Sequence, residues 1–419
     1  MSSGRPPAAI AVLRISGSAA VAVATRLAGT LPPARQACVR TLRDADGGVL
    51  DRTLMLVFPG PRSATGEDLV EIHCHGGRAV VAAIEQALGK DPATRRAEAG
   101  EFTRRALLNG RIDLAEAEGL ADLLAAESER QRIAALSASE GHVSACVREW
   151  LQALAEIAAR VEAELDFSDE DDVAASASST GSIAAEIVVV RSTMHRMLEQ
   201  PPVERLRDGI SVVIGGPPNS GKSTLINLLA EREVAIVSPI SGTTRDRIEA
   251  PVTRDGLAYV LSDTAGLTDD TDDAIEQIGV GRATAAIAAA DLLIWLGDDL
   301  PPRDAIWVHA QADRPERREL GPGKHLAIAA SNPTTITALW TVIGQWADAL
   351  IPAIDAVTFN ERQRQAVRDA CIALEDISGD LLIMAEQLRR ARRSLGAVLG
   401  IDVGEQLLDT LFGRFCIGK

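Results

Sequence analysis

Residues 211–224 read SVVIGGPPNSGKST. An apolar, strand-like run leads into a glycine-rich loop, and a helix-like segment, TLINLLA, follows. Gly216 to Ser223 fit the spacing G-x-x-x-x-G-K-[ST] in the strand–loop–helix setting that this spacing needs. In such a loop, Asn219, Ser220, Gly221, Lys222, Ser223 and Thr224 bring backbone N–H groups and a helix N-terminus toward phosphate oxygens. Lys222 adds a cation, and Ser223 a hydroxyl for Mg2+. The competing reading is a glycine-rich turn that binds nothing, and the flanking strand and helix weigh against it.

About forty residues further on, LSDTAG closes the next apolar run at Asp263 to Gly266. That spacing suits a carboxylate holding Mg2+ through water and a glycine N–H that reports a γ-phosphate, with Thr264 and Ala265 as spacers between them. Between the two motifs lies SPISGTTRD, in which Thr244 supplies a second hydroxyl to the metal. Three motifs in this order point to a switchable nucleotide-hydrolysing unit.

Working outward, residues 206–347 alternate apolar runs (SVVIGG, AYVLSD, DLLIWLG, AIWVHA) with helical segments, as in a parallel sheet covered by helices. Residues 1–110 mix AAIAVLRI, TLMLVFPG and DLVEIHCHGG with the helical AVVAAIEQAL, which reads as a small α+β domain. Residues 111–205 and 348–419 are helical. Between Ile112 and Phe167 the Ala, Leu and Glu pattern predicts two long helices. The acidic DFSDEDDV and the AASASSTGS stretch then break it, as a solvated turn rather than a metal site. Each helical stretch has an apolar face that it cannot bury alone, so the two are expected to pack into one bundle. The fold class is therefore α/β plus α, with an N-terminal α+β domain.

The chain has 419 residues, 46% hydrophobic and 24% charged, with a formal charge of −16, which excludes a surface that attracts nucleic acid everywhere. One Tyr and six Phe leave little for base-stacking platforms. Five scattered cysteines, none spaced as CxxC, suggest reduced thiols rather than disulfides or zinc. No export signal or long apolar span is evident, so a cytoplasmic protein away from membranes is expected.

GGPPNSGKS, SGTTRD, DTAG, IEQIG and the terminal FCIGK together resemble the MnmE (TrmE) family of tRNA-modification GTPases. RISG, GEDLVEIHCHGG, AGEFTRRALLNGRIDLAEAEGLADL and ELDFSDED are similar too, so the resemblance covers nearly the whole chain. It implies an N-terminal tetrahydrofolate-binding and dimerisation domain, a helical domain in two separated parts and an inserted Ras-like G domain. It also implies a homodimer that binds GTP and GDP. With an FAD-dependent MnmG (GidA)-type partner, such a protein modifies C5 of the wobble uridine of certain tRNAs.

The resemblance assigns further residues. Leu267 stands where a Gln orients the attacking water in Ras-like proteins, and Glu276 in IEQIG takes that role; read alone, Glu276 is one of several surface acids. K+ replaces an arginine finger, held by Asn219 and by Ser238, Ile240 and Thr243 within Ser238-Pro239-Ile240-Ser241-Gly242-Thr243. In the N-terminal domain Arg14, Glu71 and Arg111, with Lys419 at the chain end, are expected to contact 5-formyltetrahydrofolate or a related folate. A carboxylate suits the pterin's donor pair, and cations suit the glutamate tail; surface solubility is the alternative for Arg14 and Arg111. Cys416 is either a nucleophile toward uracil C6 or a buried structural thiol. His73 and His75 share a strand face, where packing around Gly76-Gly77 is favoured over a metal pair. Arg389, Arg390, Arg392 and Arg393 are either a tRNA phosphate contact or a solvated helix face.

The base-side segment departs from the family. Where Asn-Lys-x-Asp is expected, the chain has Ala310-Gln311-Ala312-Asp313. An ionised Asp313 accepts from both guanine N1–H and N2–H, so guanine remains the base. Ala310 makes no polar contact, a loss of about 1–3 kcal/mol, and looser nucleotide binding follows. Gln311 stands in for a Lys whose stem covers the base face, and Ala329, Ala330 and Ser331 stand where backbone N–H groups serve guanine O6. The resemblance also places a short strand ahead of SSGRPP, where Met1 falls, so a start further upstream is expected.

Two other readings compete: a GTP-switched binding module such as a ribosome-assembly factor, and a folate enzyme with a decayed nucleotide site. The terminal CIGK weighs against the first. Intact Lys222, Ser223, Thr244 and Asp263 weigh against the second.

Overall fold

The computed structural model describes residues 1–4, 6–167, 177–230, 249–263, 283–317, 320–354, 356–401, 404–413 and 415. The chain forms two compact units, Met1–Ala121 with Gly396–Lys419, and Asp122–Leu395.

The first unit contains β1 (Ile10–Ser16), α1 (Ala20–Ala28), β2 (Cys38–Arg43), β3 (Val49–Phe58), β4 (Leu69–His75), α2 (Arg78–Gly89), α3 (Glu101–Leu108) and the start of α4 (Leu114–Ala125). The strands pair antiparallel in the order β1-β4-β3-β2. Strand alternation sets the two faces: along β4, Val70, Ile72 and Cys74 are buried, while Glu71, His73 and His75 fall on the other side. Helices α1 and α2 supply Leu27, Val81 and Ile84 to the buried face, each such side chain contributing about 1.5–3 kcal/mol when fully buried. β2, CVRTLR, is too mixed in polarity to stand out by alternation. Gly100, at φ 67, precedes α3, and a Cβ there would lie 2.5 Å from Phe412 O. The helix Glu405–Phe412 therefore passes too close for any side chain at that position, and Leu408, Phe412 and Phe415 bury with Leu114 and Ala117.

Instead of two long helices, the 112–167 stretch forms three: α4, α5 (Glu129–Ser139) and α6 (His142–Phe167). The cause is local. Ser128 and Gln131 form a reciprocal capping box that starts α5, and Gly141 at φ 88 ends it. α6 buries Val143, Val147, Trp150, Leu154, Ile157 and Val161 at steps of three and four.

There follow α7 (Ala177–Glu199), α8 (Glu204–Arg207), β5 (Ile210–Gly215), α9 (Lys222–Ala230), β6 (Glu249–Arg254), β7 (Leu257–Asp263), β8 (Leu292–Trp295), β9 (Ile306–His309), β10 (Leu326–Ala327), α10 (Pro333–Asp348), α11 (Glu361–Ala373) and α12 (Leu381–Val398). The helical stretches on either side of the sheet meet. Arg364 Nη1 donates to Gln200 O at 2.9 Å and Arg191 Nη1 to Leu374 O at 3.0 Å, and Trp150 stacks on Phe359.

The second sheet runs β10-β9-β8-β5-β7-β6. β5 lies between β7 and β8, parallel to both, and its Ile210, Val212, Val213 and Ile214 are buried, as a strand covered on both faces requires. The all-parallel expectation needs one correction, because β6 pairs antiparallel with β7. Asp255 (φ 50) and Gly256 (φ 78) link them with two left-handed residues, the geometry that a two-residue hairpin selects. Leu225 and Leu229 of α9, and Leu339, Trp340 and Ile343 of α10, complete the core around the sheet. Among the described residues no helix is long and apolar enough to cross a membrane.

Candidate nucleotide site

The central strand β5 delivers the chain into the loop Gly216–Gly221, and α9 starts at Lys222. Gly216 (φ 150), Asn219 (φ 63) and Gly221 (φ 96) turn the backbone there. The first N–H groups of α9 have no partner within the helix, which makes its N-terminus receptive to anions. Lys222 is 7% exposed, and its Nζ donates to the carbonyls of Gly216 at 3.1 Å and Pro217 at 3.0 Å. The charge is thus held within the loop by two acceptors. Ser223 Oγ donates to Asp263 Oδ2 at 2.7 Å, bringing together the hydroxyl and the carboxylate that the sequence separates by forty residues. Asp263 ends β7, the strand beside β5, and is 7% exposed. Thr224 is exposed on the first turn of α9.

The base-side segment follows β9. Ile328 N donates to His309 O at 2.8 Å and Ala312 N to Ile328 O at 2.9 Å, so the 309–313 and 328–331 segments lie against each other. Asp313 is exposed, and Ser331 Oγ donates to its Oδ2 at 3.4 Å. Ala329 is buried; Ala330 and Ser331 are exposed. Ala310 is 8% exposed within the core, and its carbonyl accepts from Arg317 Nε at 2.9 Å. Gln311 Nε2 donates to Asn219 O at 2.9 Å, a contact between the base side and the phosphate loop. Sequence reasoning left both Arg317 and this Gln311 contact unread.

In the first unit, Arg14 Nε donates to Glu71 Oε1 at 2.8 Å, while His73 Nε2 lies 3.3 Å from Oε2. Two expected ligand-contacting residues are thus each other's partners. Arg111 is exposed just after α3. Asn109 beside it donates through Nδ2 to Thr65 O at 2.7 Å, and the Thr65 hydroxyl lies 2.6 Å from Ser16 Oγ at the end of β1. Arg105, hydrogen bonded to Glu67 at 2.7 Å, joins the same cluster unanticipated. His75 does not pack around the Gly76-Gly77 turn: its Nδ1 lies 2.8 Å from Asp51 Oδ1 and its side chain is 73% exposed. The described residues contain no group of three or more His, Cys, Asp or Glu able to hold a metal ion.

Ser238, Pro239, Ile240, Ser241, Gly242, Thr243, Thr244, Thr264, Ala265, Gly266, Glu276, Cys416 and Lys419 lie outside the described residues. Burial pushes the thiols of Cys146 and Cys371 up to about 11, which leaves both inert at neutral pH.

The family model described as MnmE helical domain matches residues 114–416, and that described as GTP-binding protein TrmE N-terminus matches residues 1–111. A protein of Erythrobacter litoralis (strain HTCC2594) named tRNA modification GTPase MnmE is 50% identical, covering 100% of this chain and 99% of its own length. A protein of the same name from Sphingopyxis alaskensis (strain DSM 13593 / LMG 18877 / RB2256) is 50% identical, covering 97% and 100% respectively. Among solved structures, the G domain of T. maritima FeoB is 21% identical over 33% of this chain and 98% of that one, with a TM-score of 0.25, too low to bear on the fold. Both family models and relatives matched end to end lead to one conclusion: the chain belongs to the MnmE (TrmE) family.

Proposed function

We propose that this chain is a K+-stimulated GTPase of tRNA modification, working as a cytoplasmic homodimer with an FAD-dependent MnmG (GidA)-type partner. Together they modify C5 of the wobble uridine of certain tRNAs with a tetrahydrofolate one-carbon unit. Residues 1–110 bind the folate and dimerise, 111–205 and 348–419 form the helical domain, and 206–347 form the Ras-like G domain. The observation that carries the nucleotide half is the Ser223–Asp263 hydrogen bond at 2.7 Å beside the buried Lys222. A phosphate loop, a hydroxyl and a carboxylate converge on one place.

The loop amides and Lys222 bind the β- and γ-phosphates, and Asp313 accepts from guanine N1–H and N2–H. Ser223 and Asp263 are hard oxygen donors of the kind that Mg2+ takes, with Thr244 as a third, so these residues fit that ion. When bound, it neutralises charge on the phosphate oxygens. Asn219, with Ser238, Ile240 and Thr243, would hold K+, and Glu276 would orient the attacking water. In the first unit, Glu71 suits the pterin donors of a folate and Arg111 its glutamate tail; Arg14, hydrogen bonded to Glu71 at 2.8 Å, sits at the pterin end and not, as expected, at the tail.

Mass spectrometry of wobble-uridine nucleosides from cells lacking this chain tests the proposal. Loss of the C5 substituent is expected; a fully modified wobble position would reject it.

A further inference from the structure

We infer that Gln311 is a positioning residue that ties the base-reading segment to the phosphate loop, holding the two halves of the nucleotide site in register. This rests on the guanine-nucleotide reading above. The tie is a single hydrogen bond, Gln311 Nε2 to Asn219 O at 2.9 Å, spanning 92 residues of sequence. Gln311 (φ 57) and Asn219 (φ 63) are both left-handed without being glycine. Such a backbone persists in a residue with a Cβ where its surroundings hold it.

The segment carrying Gln311 is fixed from behind as well. Arg317 Nε donates to Ala310 O at 2.9 Å, and its two terminal nitrogens donate to Asp298 at 2.9 Å each. Lys324, 3% exposed, donates to the same carboxylate and to His309 Nδ1 at 3.2 Å. Ala312 N on Ile328 O closes the third side. Residues 309–312 are thus anchored to the body of the sheet, and the Gln311 amide connects that anchored segment to Asn219, three residues before Lys222. Two loops that meet one ligand bind it better when their separation is set beforehand, because less freedom is lost on binding.

Two substitutions separate this role from a general structural one. Gln311→Leu keeps the bulk and removes the donor; Gln311→Lys keeps a donor able to reach a carbonyl. Calorimetry with GDP on the full chain is expected to give a Kd roughly tenfold higher for the Leu variant, the size of one lost hydrogen bond. The Lys variant returns to within about twofold of the parent, and in steady-state GTP hydrolysis the Leu defect falls in KM rather than kcat. The inference is overturned if the Leu variant binds GDP as the parent does, if its defect lies in kcat alone, or if the Lys variant fails to restore affinity. A parent chain that binds no GDP would instead remove the nucleotide reading on which the tie depends.

Discussion

Arg14 and Glu71 face each other across β1 and β4, with Arg14 Nε donating to Glu71 Oε1 at 2.8 Å. His73 stands beside the second carboxylate oxygen at 3.3 Å. A pterin ring that uses Glu71 must therefore share its oxygens with Arg14 and His73, and their remaining lone pairs allow this. Glu71→Gln, which removes the charge and turns one acceptor into a donor, is expected to weaken 5-formyltetrahydrofolate at least tenfold, or about 1.4 kcal/mol. Arg14→Gln has a smaller effect because the carboxylate survives. Titration calorimetry on both variants decides; unchanged affinity in Glu71→Gln would clear Glu71 of any part in folate binding.

Lys222 is the buried cation of the phosphate loop, and the carbonyls of Gly216 and Pro217 hold its ammonium. Lys222→Ala is expected to raise the GTP Kd by roughly a hundredfold, about 2.7 kcal/mol, because a charge-assisted phosphate contact disappears. Ser223→Ala should instead raise the Mg2+ concentration needed for half-maximal hydrolysis, since its hydroxyl sits 2.7 Å from Asp263. A Ser223→Ala chain with an unaltered Mg2+ titration argues against that hydroxyl as a ligand.

The phosphate loop was legible because its parts are contiguous, so spacing alone places Lys222 and Ser223 between a strand and a helix. Asp263 was legible because it ends an apolar run in the adjacent strand. The base side was not. Gln311 meets Asn219 and Arg317 meets Asp298 only after β8 and β9 have folded side by side, and no local pattern encodes such pairings. The β6–β7 hairpin did carry a signal, the Asp255-Gly256 dipeptide, but Pro251 within β6 obscures it. Alanine-rich periodicity concealed the break between α4 and α5, where Ser128 and Gln131 are the readable cue.

Asn219 has a neutral side-chain oxygen in the loop, the donor type that suits a monovalent cation. Hydrolysis is expected to be roughly tenfold faster in K+ than in Na+ at equal ionic strength, a barrier difference of about 1.4 kcal/mol. Asn219→Ala should erase most of that difference. Matched rates in the two salts for the parent chain would remove K+ from the mechanism.

Glu101, in the first turn of α3, accepts from both terminal nitrogens of Arg95 at 2.8 and 2.6 Å, from Arg105 Nη2 at 2.8 Å and from Glu98 N at 2.9 Å. Burial alone would raise its carboxyl, but the hydrogen bonds from Arg95, the Glu98 amide and Arg105 outweigh burial and hold it at about 2 instead of 4.5. Between those values the unfolded chain binds a proton that the folded chain refuses, so stability rises with pH there. The stabilisation is fully present above about pH 4.5 and fades as pH falls through 2. Glu101→Gln is therefore expected to cost about 1.5–3 kcal/mol at neutral pH, and the gap to the parent should narrow as denaturation curves are followed downward through pH 4.5. A gap that stays constant with pH would mean that packing, and not the ionised carboxylate, stabilises the start of α3.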